Sequence, residues 1–282
     1  MPPFSFMLCA DDYALAPGVS RGILEAIAAG RLTATSAMTN MPSWPSAARG
    51  LAGFADRADV GVHLNLTCGA PLGSMPGFAR GGAFPKIGAV VAGALFGRLP
   101  EVEIRAEITR QIDAFVEAMG RPPDFIDGHQ HVQVLRGVRR WLMEDMVRRG
   151  WAGEVWLRDS GDRWSALLAR RVEAFKAAEI ATLSLGFAAM AGSMGMGVNR
   201  GFSGFSSFDD RRCYAVDFAT YLSAPGRRHL VMCHPGHADR ELAKLGEIEE
   251  SRQSELAFLL SDGFSAVLKA RGARLARWNG FA

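Results

Sequence analysis

Cysteine is scarce in this chain and shows no pairing pattern. Cys9, Cys68, Cys213 and Cys233 lie far apart, and no C-x-x-C occurs. That excludes a disulfide scaffold and suits a reducing compartment. Cys9 and Cys233 sit in apolar runs and are expected to act as small core residues. Long hydrophobic runs are also lacking: none approaches the roughly 20 residues of a membrane span. The N-terminal "MPPFSFMLCADD" has neither a basic leader nor a long apolar core, so no signal peptide is expected, and the expected location is the cytoplasm. An excess of one charge is missing too, with 32 basic against 29 acidic residues. The arginine pairs at 139–140, 148–149, 170–171, 211–212 and 227–228 are short and mostly flanked by apolar residues. They read as solvated helix faces rather than a nucleic-acid stripe. A G-x-S-x-G elbow is absent, which argues against a Ser-His-Asp hydrolase. "MAGSMGMG" (190–197) lacks the lysine and preceding strand of a phosphate loop, and its Met and Ala content reads as helix packing.

What is present is a large apolar complement, 49% of 282 residues. This suits a single domain over 1–282, and an α/β barrel of roughly 250 residues would need no second core. Apolar runs of strand character, "FSFMLCADD" (4–12), "LTATSAMTN" (32–40), "ADVGVHLNLT" (58–67), "GEVWLRD" and "RRHLVMCHPG" (227–236), alternate with amphipathic stretches. In 99–120, Val102, Ile104, Ile108, Ile112, Phe115 and Met119 repeat at helical period before Gly120 and two prolines. Helices are also expected over much of 163–200 and 249–272. A Gly/Pro-rich insertion at about 68–100 includes the apolar piece "IGAVVAGALFG" (87–97). Strand and helix in alternation imply a parallel sheet, closed as a barrel or open.

Polar residues gather where these strands end: Asp11, Asp12, His63, Asn65, Asp127, His129, Arg158 and His234. In parallel sheets that edge carries active sites. The run "DFIDGHQHVQV" (124–134), if extended, puts Asp127, His129 and His131 on one face. Buried without partners, such groups cost several kcal/mol, so a metal ion is the first candidate to compensate them. Imidazoles with a carboxylate suit Zn²⁺ and several other divalent ions. Adjacent Asp11 and Asp12 do not fit the D-x-D of an aspartyl-nucleophile phosphatase. His234 and His237 follow a strand in "MCHPGH" as ligand, acid–base group or cap, and Arg158 reads as a substrate clamp or a rim salt bridge.

Taken in order, "ADDYALAPGVSRGILEA", "GVHLNLTCGAPL", "PDFIDGHQHVQVL", "GFSG" and "MCHPGHAD" resemble the YdjC-like carbohydrate deacetylases, the ChbG/HpnK group. The resemblance runs from about residue 5 to 275. It implies a distorted TIM-type (β/α)-barrel and metal-dependent hydrolysis of an N-acetyl group from an amino sugar. It places one divalent ion, Zn²⁺ or Mg²⁺, on Asp12, His63 and His129, with Asp11 as general base and His234 as general acid. Asn65, Asp127, His131 and Arg158 become substrate-facing or supporting residues. The chain departs from the family in having Tyr13-Ala14 where Phe-Gly is common, and Gln133 where a further histidine is common. The expected partner is an acetylated amino sugar, an oligosaccharide or a lipid-linked one, with segments 87–97 and 186–198 as a lipid-facing lip or as core or homodimer contacts. A metal-dependent phosphoesterase using the same rim, and a sugar-binding protein with a structural metal, are the alternatives.

Overall fold

Alternation along β1 (Phe4–Tyr13) sorts its side chains into two cores. Phe6, Leu8 and Ala10 join the large cluster packed under the helices, while Met7 and Cys9 join a smaller one with Ala34, Phe125, Trp156, Phe202, Leu230 and Met232. The second set is the inward face of a curled sheet, as the two-residue period of a strand requires. The computed structural model describes residues 3–207, 212–245 and 250–281. Arg211 of one arginine pair, and Glu249 at the start of the 249–272 stretch, lie outside them.

The remaining strands are β2 (Ala34–Ala37), β3 (Asp59–Leu64), β4 (Phe125–Gly128), β5 (Trp156–Leu157), β6 (Phe202–Ser203), β7 (His229–Cys233) and β8 (Ala273–Leu275). All named pairs are parallel, in the order β5-β4-β3-β2-β1-β7-β6, with β8 beside the start of β1. One segment closes the gap between the two ends. Leu157 N–H donates to the Gly197 carbonyl (2.9 Å) and Leu157 bridges Val198, while β6 a few residues later pairs with β7. The result is a (β/α)-barrel-like fold with parallel strands, as expected.

The helices α1 (Pro17–Ala28), α2 (Trp44–Ala52), α3 (Ile87–Leu95), α4 (Glu101–Met119), α5 (Val138–Arg148) and α6 (Trp164–Arg170) cover one part of the sheet. They are followed by α7 (Ala174–Leu183), α8 (Phe187–Ser193), α9 (Tyr214–Tyr221), α10 (Arg240–Lys244), α11 (Glu250–Leu260) and α12 (Asp262–Arg271). In α4, Ile104, Ile108, Ile112 and Phe115 are buried as the period predicts, whereas Val102 points to solvent from the first turn. The stretch Ala174–Ser193 is long and apolar enough to cross a membrane, contrary to the expectation that no run approaches that length. It is divided into α7 and α8 by residues 184–186, with Gly186 at φ 80°.

The inward residues change character along the strands. Low in the barrel, Phe125 stacks on Trp156 (4.3 Å), which stacks on Trp278 (4.8 Å). Gly61 is inward-facing beside Phe125, and a Cβ there would stand 2.7 Å from the ring. One layer higher, toward the C-terminal ends, the same faces carry Asp11, Ser36, His63, Asp127, Arg158 and His234.

Candidate active site

Asp11 and Asp12 both reach the same cavity, which a regular strand would forbid. The pairing of β1 with β2 slips between Ala10 and Tyr13, and Asp12 has φ 68°. This irregularity turns two successive carboxylates to one side. His63 arrives from the end of β3, and His129 follows directly on β4.

The expected extended face of 124–134 is not formed. The strand stops at Gly128 and residues His129–Val134 wind into a 3₁₀ turn, with Gln130 (φ 51°) and His131 (φ 62°) left-handed. Asp127 and His129 consequently serve different layers. Asp127 lies under His63, accepting from its Nδ1 (2.7 Å), from Ser36 Oγ (2.9 Å) and from Arg158 (2.6 Å). His129 Nδ1 lies 2.9 Å from Asp12 Oδ1, and His63 Nε2 lies 3.3 Å from the same oxygen.

Ligand atoms of Asp12, His63 and His129 all fall within 4.8 Å of one another. Donors about 2.0–2.1 Å from a shared ion would stand roughly 3.0–3.4 Å apart, which matches the Asp12 contacts. Two of the three ligands have the outer contact expected of a metal ligand set: Asp127 fixes the far nitrogen of His63, and Arg252 from α11 donates to Asp12 Oδ2 (2.7 Å). Three carboxylates, Asp11, Asp12 and Asp127, face two guanidinium groups, Arg158 and Arg252, so the cluster carries an excess negative charge. His63 registers this field. Burial alone would lower its pKa, yet Asp127's charge and the bonds to Asp12 and Asp127 push it up to about 10. Surroundings that hold a proton this tightly also attract a cation in its place. The donor set, its spacing and its charge fit a divalent ion.

Arg158 is fully buried and grips Asp11 with two bonds (2.5 and 2.6 Å). Burial pushes the Asp11 carboxyl up, but Arg158 outweighs it and holds the group at about 2. Asp12 is held well below the usual carboxylate range: burial opposes this, and Arg252 and His129 overcome it. On the other side, His234 donates its backbone N–H to Glu255 (2.6 Å). Burial holds the His234 ring down to about 4, against the pull of Asp12 and Asp11, and burial lifts Glu255 to about 7.

The cavity above these groups measures about 360 Å³. Asp11, Asp12, His63, His129, His131 and His234 form its polar floor, while Ile87, Val91, Leu135, Ile180 and Leu183 supply an apolar wall. The piece 87–97 does flank the site through α3. Of 186–198, none lines this cavity, and α7 takes that place. His131 is held by Ser160 (3.1 Å) and packs edge-on against Phe202 and Phe205.

Of the residues expected to face the substrate or to support the site, Asn65 and Arg158 fall on the supporting side. Asn65 is buried outside the cavity, where it bonds Asn40, the Cys68 carbonyl and the N–H groups of Thr67 and Cys68, and so holds the loop after β3. Arg158 lies beneath the carboxylates as a buried ion pair, closed to a substrate. His237 pairs with Glu25 at the surface (2.9 Å). Gln133 bonds the Arg158 carbonyl and Ser160, supporting the turn that carries His131. Ser36, Arg252 and Glu255 belong to no motif that announces them in the sequence. Ser36 had a signal, since it is the inward residue at the end of the small-residue strand β2.

A parallel (β/α)-barrel-like protein with a buried Asp-His-His cluster on its C-terminal rim is the class that fold and site define. Over residues 5–270 the chain matches the family described as YdjC-like protein, and it belongs to that family. It is 30% identical over 273 residues to the carbohydrate deacetylase of Geobacillus stearothermophilus, covering 96% of each chain. It is also 30% identical over 267 residues to the chitooligosaccharide deacetylase of Klebsiella pneumoniae strain 342, covering 94% of each. The fold is shared with a crystal structure from Enterococcus faecalis V583, provisionally described as a cellobiose-phosphate cleavage protein. That likeness has a TM-score of 0.77 at 20% identity over 99% of each chain.

Proposed function

We propose that this protein is a metal-dependent carbohydrate N-deacetylase, hydrolysing the acetamido group of an amino sugar to acetate and a free amine. The observation that carries this is the convergence of Asp12, His63 and His129 beneath a sugar-sized cavity, with Asp11 and His234 beside them. The names of the two curated relatives support the same reaction class.

In this reading Asp12, His63 and His129 hold the ion. When bound, a divalent ion there supplies Lewis acidity to the amide carbonyl and acidifies water. The two imidazoles favour Zn²⁺ or another first-row ion over Mg²⁺, which prefers oxygen donors. Asp11 accepts the proton of the attacking water, and Arg158 keeps it ionised and aimed. At a pKa of about 2 Asp11 is a weak acceptor, so its service depends on that water being made acidic. His234 starts neutral at pH 7; it takes up a proton from solvent, which receives in exchange the one that Asp11 took from water, and gives it to the leaving nitrogen, a form that the charges of Asp12 and Asp11 favour. The apolar wall takes an apolar part of the substrate, which supports a lipid-linked sugar alongside oligosaccharides.

Acetate release is the direct test, measured on N-acetylated oligosaccharides and glycolipids with metal-stripped enzyme as control. Metal-dependent release is expected, and faster turnover of glycolipids would support the lipid-linked substrate. No acetate from any of them with metal restored would sink the reading. The phosphoesterase alternative is weakened by the placement of Arg158, its clearest phosphate-binding candidate, under Asp11 and Asp127.

A further inference from the structure

His131 lines the catalytic cavity without belonging to the Asp12, His63 and His129 cluster. Only 7% of the residue is exposed. Its ring packs against Phe202 of β6 and Phe205 just after it, whereas His63 and His129 face each other. What His131 presents to the cavity is decided by the hydrogen bonds behind it.

Those bonds start at the Arg158 carbonyl, which can only accept. The Gln133 amide nitrogen lies 3.2 Å from that oxygen and 2.9 Å from Ser160 Oγ, so one amide hydrogen goes to each. Gln133 and Ser160 are both closed to solvent. Ser160 Oγ accepts from Gln133, and its own hydrogen needs an acceptor. Among the described residues the acceptor in reach is His131 Nδ1, at 3.1 Å. Ser160 therefore donates to Nδ1, and the ring hydrogen sits on Nε2. With the hydrogen on Nδ1 instead, the sealed serine hydroxyl would have nothing to donate to, which buried polar groups avoid.

The far side of the ring is open. His131 Nε2 bonds no described residue, yet it is not shut in the interior as the unpartnered indole nitrogens of Trp141 and Trp156 are. It faces the cavity that His131 lines, as a donor with no acceptor among the described residues. A few placed polar groups in an otherwise apolar pocket are what orient a ligand.

We propose that His131 is a substrate-binding residue whose Nε2–H donates to a hydroxyl oxygen of the sugar, with Ser160 and Gln133 as positioning residues that hold it in that tautomer. The reacting amide belongs over Asp12, His63 and His129, whose ligand atoms converge without His131. The oxygen that His131 meets therefore lies elsewhere on the sugar. The identity of the ligand rests on the deacetylase reading, whereas the tautomer does not.

Nitrogen NMR of the full-length protein with labelled histidine reads the tautomer directly, in mildly alkaline buffer before any sugar is added. The His131 signals, assigned by their loss in His131→Phe, should show hydrogen on Nε2, and Ser160→Ala should mix the two tautomers. Hydrogen on Nδ1 in the wild type would overturn the proposal. Adding N,N′-diacetylchitobiose should then shift the Nε2 resonance saturably. With the same sugar, His131→Phe should raise KM on the order of ten-fold at nearly unchanged kcat, the mark of a contact made equally in the bound sugar and in the transition state. His131→Gln, which keeps an N–H, should recover much of that loss, as a purely structural role would not allow. A fall in kcat at unchanged KM would assign His131 to the reacting amide and overturn the proposal. A shift without acetate release would keep the contact and count against the deacetylase reading. Acetate release without a shift would do the reverse, and the absence of both would overturn the contact.

Discussion

Arg158 holds two carboxylates with one guanidinium, and all three groups are out of water. Removing one member of such a cluster strands the rest. Arg158→Met should therefore cost about 3–5 kcal/mol of stability, read as a lower urea midpoint, because Asp11 and Asp127 lose their counter-charge. The aspartates beside it separate by role. Asp12→Ala should lose bound metal, measured by elemental analysis of the purified protein. Asp11→Asn should keep metal while acetate release falls by roughly 10²–10⁴-fold, the usual range for a general base. Full activity in Asp11→Asn would remove Asp11 from that role.

At the scale of elements, the strands were legible because side-chain alternation is a local signal. Asp11, His63, Asp127, Arg158 and His234 are inward-facing residues at strand ends, and an apolar run interrupted by polar groups at that position announces them. The turn after β4 was not legible. Gln130 and His131 adopt left-handed backbone without glycine, so nothing local marks the strand's end, and the extended reading wrongly joined His131 to Asp127. Such strain persists where tertiary contacts impose it, here Ser160 and Gln133 behind His131. Arg252 was hidden for another reason: it is contributed from α11, 240 residues after Asp12. On β7, His229 makes a testable contribution of its own. Its ring is buried with Ser203 Oγ at 2.9 Å and the Tyr221 carbonyl at 3.3 Å, and burial, then Arg170, lower its pKa to about 3. The unfolded chain would take up this proton near pH 6.5, the folded one only near 3. Stability is thus complete above about pH 6.5 and is lost as pH falls through that window, by about 2 kcal/mol at pH 5. Urea titrations at pH 7 and 5 should show this loss, and His229→Gln should flatten it.

For the molecule as a whole, the candidate metal cluster links elements distant in sequence. Asp12 comes from β1, His63 from β3 and His129 from the turn after β4, while Arg252 ties the cluster to α11. An ion bound to this set favours only the folded chain, since the ligands are scattered once it unfolds. Metal present at about a hundred times its dissociation constant would add about 2.7 kcal/mol. For a chain of this size each kcal/mol raises Tm by about 2 °C or somewhat more, so roughly 5 °C is expected. The chelated protein should melt lower by that amount and recover on adding Zn²⁺. Asp12→Ala should melt at one temperature whether or not metal is supplied, because the ligand set is broken. A wild-type Tm indifferent to chelation and to added metal would mean that Asp12, His63 and His129 hold each other by hydrogen bonds alone. In that case the negative excess of the cluster is balanced by a proton on His63, as its raised pKa allows.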